Sequence, residues 1–418
     1  MSVALSIPDL SSYETFVNGF PHGAFVQLRE HSPVWWHEPT ERTPDGEGFW
    51  CVSTHELVVE VFRNPRIYSS HTGGDRPYGG TMINDMEMSG KLLNMMDDPR
   101  HQRIRRLVSK GFTPKRISRL RGELEAISDR ALDSVAPRLG ERGACDLVVD
   151  VAAELPLQAI CLLMGAPSED RHSLCEWVDV TSSDFSDEIP SSVRAEASLN
   201  LFQYGQRLIA ARTAELRDDL LSVVIHAEMP DQDPSRLDGT EVAMFWSLLF
   251  TAGAETTRKA IATGVWELSK SPEQLQALRA DRSLMPTAIE EIVRWTTPSV
   301  YKRRTATRDT VLGGHRIRAG EKVVVWEMSA NRDDAVFSQP FEFRIDRNPN
   351  AHVGFGHGPH FCLGANLARL EIDVMLNAIL DRWHDIEATG VPTYTRTNRL
   401  SGLRTLPVAF TDRAGAVV

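Results

Sequence analysis

The stretch of the chain best equipped for chemistry is Phe355-Gly-His-Gly358-Pro-His360-Phe-Cys362-Leu-Gly364. It sets one thiol among glycines and histidines, just ahead of an amphipathic run that includes Ala365, Leu367, Ala368, Leu370 and Ile372. A cysteine at a helix start has its thiolate stabilised by backbone N–H groups and by the positive end of the helix dipole. Flanking glycines let the backbone approach a flat ligand closely. A buried thiol in a turn is the ordinary reading of a single cysteine, but Phe, Gly, Cys and Gly at these spacings are too many fixed identities for chance. The other four cysteines, Cys51, Cys145, Cys161 and Cys175, are irregularly spaced and form no CxxC pair, which excludes a regular disulfide framework and a zinc ribbon.

Three more sets of residues are suited to chemistry or to holding a charged ligand. Gly253-Ala254-Glu255-Thr256-Thr257 closes the apolar run Val242 to Ala254. An acid and a hydroxyl are costly guests in such a helix, because a carboxylate resists burial and glycine weakens the helix by about 1 kcal/mol. Glu291 and Arg294, three residues apart, suit an intrahelical ion pair. His101 and Arg105 share a helix face at i and i+4, and Lys302-Arg303-Arg304 stands before the Gly313-Gly314 turn. Each set alone reads as a solvated face or a salt bridge; their joint order along the chain gives them meaning.

That order resembles the cytochrome P-450 family. The resemblance makes Cys362 the proximal thiolate ligand of haem b (iron protoporphyrin IX), within a loop that begins at Phe355 and ends at Gly364. An anionic sulfur pushes electron density through iron and favours O–O cleavage. It also implies that His101, Arg105, Arg304 and His360 meet the haem propionates. The helix through Ala252 and Gly253 becomes the wall of an oxygen-binding groove, with Gly253 leaving room for O2 and Glu255 and Thr256 handling protons. Glu291 and Arg294, 71 residues before the cysteine, match a structural Glu-x-x-Arg pair. The family's Pro-x-Arg-Phe sequence is replaced here by Pro340-Phe341-Glu342-Phe343, so the third member of that network stays open between Arg344 and Arg347.

These residues need positioning elements, and the chain supplies them. It has 418 residues, a net charge of −11, 42% hydrophobic and 25% charged residues, an acidic globular profile that excludes disordered, collagen-like and coiled-coil classes. Short strand-like runs such as Gly48 to Ser53 mark a mixed, β-rich first part over about residues 1–98. Helical periodicity dominates from about residue 99, including Ser118 to Leu139, Leu155 to Met164, Arg194 to Arg217 and Thr240 to Ser269. Val311 to Arg318 and Lys322 to Trp326 read as a small sheet, Leu363 to Trp383 as a helix and Arg399 to Phe410 as a final hairpin. The expected fold is mainly α with a minor β part, a single domain of the cytochrome P-450 type over residues 1–418. Met1 to Leu10 lacks the features of a signal peptide, and the apolar run at 242–254 is too short for a bilayer span, so a cytoplasmic protein without a membrane anchor is expected.

Arg100 to Arg121 holds nine Lys or Arg and no acid, a basic face on an acidic body. No nucleic-acid-binding module accompanies it. The resemblance implies docking of a small acidic ferredoxin or a flavodoxin, itself served by a reductase, with Arg103, Arg106, Lys110 and Arg369 as contacts. The reaction implied is insertion of one atom of O2 into a C–H or similar bond of a small organic substrate by a monomeric monooxygenase. Steroids, terpenoids, fatty acids and amino acids held on a carrier protein are all compatible with these motifs. Regions expected to line the pocket include residues 79–94 and 184–201. Two rivals are a peroxide-driven peroxygenase, which the Glu255-Thr256 pair argues against, and a non-catalytic recruitment domain, which Cys362 argues against.

Overall fold

The structure is a computed structural model that describes residues 5–142, 144–182, 189–229 and 233–411. Seven of its helices carry or back the residues singled out above: α1 (Arg100–Ser109), α2 (Glu154–Leu163), α3 (Arg171–Ser182), α4 (Ser191–Ala214), α5 (Gly239–Ser269), α6 (Met285–Thr296) and α7 (Ala365–Arg382). The residues group into two units, the first formed by 1–102, 276–362 and 394–402, the second by 103–275, 363–393 and 403–418.

The first unit is organised by a five-stranded sheet of β1 (Val34–His37), β2 (Phe49–Val52), β3 (Tyr68–Ser69), β4 (Lys302–Ala306) and β5 (Lys322–Val325), in the order β1-β2-β5-β4-β3. β2 and β5 are parallel, with Cys51 opposite Val324, and β4 returns antiparallel with Arg304 opposite Val323. The uninterrupted valines of β5 follow from burial on both faces. Val323 and Val325 join one apolar cluster with Val52, Val61 and Phe62, while Val324 joins another with Phe25, Phe49, Tyr301 and Trp326. This pairing explains why residues 276–362 group with the β-rich start of the chain rather than with the helices between them.

The second unit is organised by α5. Asp238 caps its start through the Glu241 backbone N–H, and Glu241 returns a bond to the Asp238 backbone. Most of α5 is buried, including Val242, Phe245, Trp246, Phe250 and Ala254, because α2, α3, α4 and α7 all pack on it. Its apolar run is therefore core. Among the described residues no helix is long and apolar enough to cross a membrane.

One expected element differs. Strand 407–411 lies between residues 145–146 and 385–388, antiparallel to both, rather than hairpinning onto the residues before it. A single residue, Leu406, separates it from strand 403–405. The Leu406 N–H donates to Asp146 Oδ2 at 3.0 Å, so the chain stays extended where a hairpin would need a turn.

Candidate active site

The first unit holds the cysteine loop. The Cys362 N–H donates to the Phe355 carbonyl at 2.8 Å, closing the loop, and the Gly356 N–H donates to the Val353 carbonyl at 2.7 Å, closing a turn at its start. Gly358 has φ of 70° and a Cβ there would stand 2.5 Å from the Phe62 carbonyl oxygen, so this position requires glycine twice over. Of the five thiols, Cys51, Cys145 and Cys161 are buried, Cys175 is half-buried, and Cys362 is exposed. Burial pushes the Cys51 thiol far up its titration range, beyond the help of the Trp326 indole. Cys362 stands two residues before Gly364, the N-cap of α7, which has no side chain to occupy the first-turn N–H groups.

Around this loop the expected anion-binding residues come together. The His101 and His360 rings lie 4.0 Å apart, and His360 Nε2 is 3.2 Å from Ser70 Oγ. Asp97 accepts from the Ser70 N–H at 2.8 Å and from the Ser69 hydroxyl. Arg304 is 3% exposed, packs its guanidinium 5.4 Å from the centre of the Phe62 ring and donates to the Arg303 carbonyl at 2.9 Å. Burial pulls its pKa down to about 10 against the opposing charges of Glu327 and Asp97. Arg304 makes no ion pair among the described residues, and a buried cation in that state calls for an anionic ligand. The two histidines, Arg304 and an exposed thiol in a glycine-formed loop together fit a planar group bearing carboxylates. Arg105 follows His101 by one turn of α1 and is half-buried.

Behind the loop, α6 carries Glu291 and Arg294, both 0% exposed. Arg294 Nε and Nη2 each donate to Glu291 at 2.7 Å. Arg347 Nε reaches the same carboxylate at 3.0 and 3.2 Å, Asn350 Nδ2 at 3.1 Å and the Arg344 backbone N–H at 2.9 Å. Arg347 thus supplies the third side chain of the network, and Arg344 contributes through its backbone. Burial pushes the Glu291 carboxyl up, but these donors more than reverse that and leave it below the ordinary range.

The second unit holds the acid and the alcohol. Glu255 is 5% exposed, with Lys259 Nζ at 3.2 Å and Arg258 Nη1 at 3.4 Å from its two oxygens. Lys259 also donates to the Leu403 carbonyl at 2.8 Å, and Arg258 to Asp179 of α3 at 2.6 Å. Thr256 is half-buried and bonds back to the Ala252 carbonyl at 2.9 Å, the usual recourse of a mid-helix hydroxyl. Ala252 is exposed, whereas a Cβ on Gly253 would meet Ile160 Cδ1 at 2.5 Å, so the glycine lets α2 close on α5.

Two features go beyond the sequence reading. Glu371 of α7 is 2% exposed beside the Thr257 hydroxyl, and burial pushes its carboxyl well above the ordinary range. The signal was present: Leu367, Leu370, Glu371, Val374 and Met375 form one continuous apolar stripe that includes an acid. On the basic face, Arg106 and Lys110 are exposed, but Arg103 is bound to Glu241 at 2.5 Å with its side chain 11% exposed. That ion pair removes Arg103 from the expected docking contacts.

A cytochrome P450 family model matches residues 18–408, and the chain belongs to the cytochrome P450 family. A Mycobacterium tuberculosis protein designated cytochrome P450 126 is 50% identical, over 97% of this chain and 98% of its own. A methyl-branched lipid omega-hydroxylase of Mycobacterium tuberculosis is 40% identical, over 93% and 90%. The solved structure of a Mycobacterium marinum cytochrome P450 in complex with pseudoionone superposes with a TM-score of 0.85 at 34% identity, covering 97% of this chain and 99% of that one. The family binds haem b through a cysteine thiolate and the protein is an oxidoreductase of the monooxygenase kind.

Proposed function

We propose that this chain hydroxylates the terminal carbon of a methyl-branched, largely apolar chain molecule, with haem b ligated by Cys362 and carboxylate-anchored by His101, Arg105, Arg304 and His360. The observations that carry the anchoring are the buried Arg304 guanidinium, which makes no ion pair among the described residues, and the close approach of the His101 and His360 rings. Haem b held by these residues would supply the redox-active iron needed to activate O2 for a monooxygenase reaction. Glu255 and Thr256 handle the protons, Phe355 and Gly364 bound the loop, and Ala252 belongs to the wall facing the ligand. Electrons come from a ferredoxin or flavodoxin that docks on the basic face through Arg106 and Lys110.

The substrate class rests on the 40% identical omega-hydroxylase and on the branched, open-chain character of pseudoionone. Leu248 and Leu249, half-buried on α5, supply apolar surface of the required kind. Part of the expected lining at 184–201, namely 184–188, lies outside the described residues.

The test is a spectral titration of the haem-loaded protein with methyl-branched fatty acids, straight-chain acids, steroids and carrier-bound amino acids, followed by product mapping. A substrate-type shift with branched acids and oxygen at the chain end is the expected result. A shift with carrier-bound amino acids and none with lipids would overturn the substrate assignment. A reduced carbon-monoxide complex without the thiolate-type Soret band would overturn the assignment of Cys362.

A further inference from the structure

The turn that opens the cysteine loop hangs on one peptide unit, the one between Phe355 and Gly356. Its N–H donates to the Val353 carbonyl at 2.7 Å, and its C=O accepts the Cys362 N–H at 2.8 Å. A peptide is planar, so these two bonds cannot reorient independently. The groups that hold residues 353 and 354 therefore hold the backbone of Cys362 as well.

Two side chains of the first unit do that. Asn331 Oδ1 accepts the Val353 N–H at 2.8 Å, while its Nδ2 donates to the Thr297 hydroxyl at 2.8 Å. His352 Nδ1 accepts the Gly354 N–H at 3.1 Å, and its Nε2 lies 3.0 Å from Glu290 of α6. A ring nitrogen that accepts an N–H carries no proton, so the bonds themselves assign the tautomer: the proton sits on Nε2 and is donated to Glu290. The His352 side chain is 4% exposed and that of Glu290 30%, which places the imidazole under the loop and its carboxylate partner at the rim of the helix. A Cβ on Gly354 would stand 2.9 Å from both Cγ1 and the carbonyl oxygen of Val293, three residues along α6 from Glu290, so the chain lies directly against that face of the helix. Two adjacent acids of α6 thus serve different partners, Glu291 the arginines and Glu290 the loop histidine.

We propose that His352 is a positioning residue for the Cys362 thiolate: its neutral imidazole, fixed by Glu290, sets the Gly354 peptide and through it the Phe355 carbonyl that receives the Cys362 N–H. The inference rests on the reading of Cys362 as the haem ligand. Partners behind a ligand orient it as the ligand orients the metal. Without the His352 bonds the turn is free to rotate about Gly354, and the sulfur moves with it. A thiolate stays deprotonated next to a metal because the metal holds it, so a displaced sulfur takes up a proton and becomes a neutral thiol.

The test follows the reduced carbon-monoxide complex of the haem-loaded protein in mild urea, reading the thiolate-type Soret band as it gives way to the neutral-thiol type, with far-ultraviolet circular dichroism recorded in parallel. His352→Ala should convert about tenfold faster than the parent at a urea concentration that leaves the dichroism of both unchanged. His352→Asn, whose side-chain oxygen can accept the N–H two residues on, should recover most of that loss. Glu290→Ala, at a partly exposed helix position, should convert about fivefold faster through the loss of one hydrogen bond, and it gives the same readout where His352→Ala does not fold. Conversion at the parental rate in either alanine variant overturns the proposal. So does an asparagine variant no slower than alanine, or a band that disappears only in step with the dichroism. A parent protein with no thiolate-type band overturns the reading of Cys362 itself, and the role of His352 falls with it.

Discussion

Two buried carboxyls separate the two units of this molecule. Glu291, in the first, accepts from two arginines, an asparagine and a backbone N–H and sits below the ordinary carboxylate range. Glu371, in the second, has the Thr257 hydroxyl as its neighbour, leaves Oε2 without a hydrogen-bond partner among the described residues, and sits well above that range. Burial acts on both in the same direction. What differs is the supply of donors: it favours the charged form of Glu291, which ties loop to helix, whereas at Glu371 burial favours the protonated form.

The sharpest test in the first unit is Cys362→Ser, which should abolish the thiolate-type carbon-monoxide band and all turnover while leaving far-ultraviolet circular dichroism unchanged. Next, Glu291→Gln strands two buried arginines and should cost about 3–5 kcal/mol of unfolding free energy in urea titrations. In the second unit, Glu255→Gln should lower product formation about 100-fold, with O2 consumption falling less than product, measured by oxygen electrode against product yield. Glu371→Gln should leave stability at neutral pH unchanged or raise it, because the amide removes the proton uptake that folding of the parent requires. If Glu371→Gln destabilised as much as Glu291→Gln, the contrast would fail.

Acidity sharpens the same contrast. The folded-state pKa of Glu291 lies below its unfolded value, so its stabilisation is present above the unfolded pKa and is lost as pH falls through the folded one. Glu371 lies the other way: the folded chain keeps a proton that the unfolded chain releases, so stability declines as pH rises from the unfolded pKa towards the folded one. Urea unfolding across pH should show the parent losing the alkaline-side decline on Glu371→Gln and the acid-side decline on Glu291→Gln.

Much of this was readable in the residues. The loop at 355–364, the apolar run ending in Glu255 and Thr256, and the Glu291–Arg294 spacing depend on local periodicity and on unusual residue types, which a linear sequence displays directly. Arg347 was not separable from Arg344, because both stand near the right place and only the turn geometry decides which guanidinium turns toward α6. Glu371 was overlooked because an acid inside an apolar stripe reads as an interruption until its neighbour Thr257 is known. Arg103 looked like surface charge because its partner Glu241 lies 138 residues away. Gly253 looked like space for a ligand, whereas the pressing atom is in Ile160 of another helix. In each case a long-range partner carried the information that spacing could not.

The parallel pairing of Cys51 with Val324 has a consequence for how the protein is made. During synthesis the Phe49–Val52 edge emerges early and waits for most of the chain before its neighbour leaves the ribosome. Such long-range parallel pairing closes slowly, and an unpaired apolar edge is a template for aggregation while it waits. A chaperone that covers this edge should therefore favour recovery of intact protein more than a stabilising substitution in the later-formed helices.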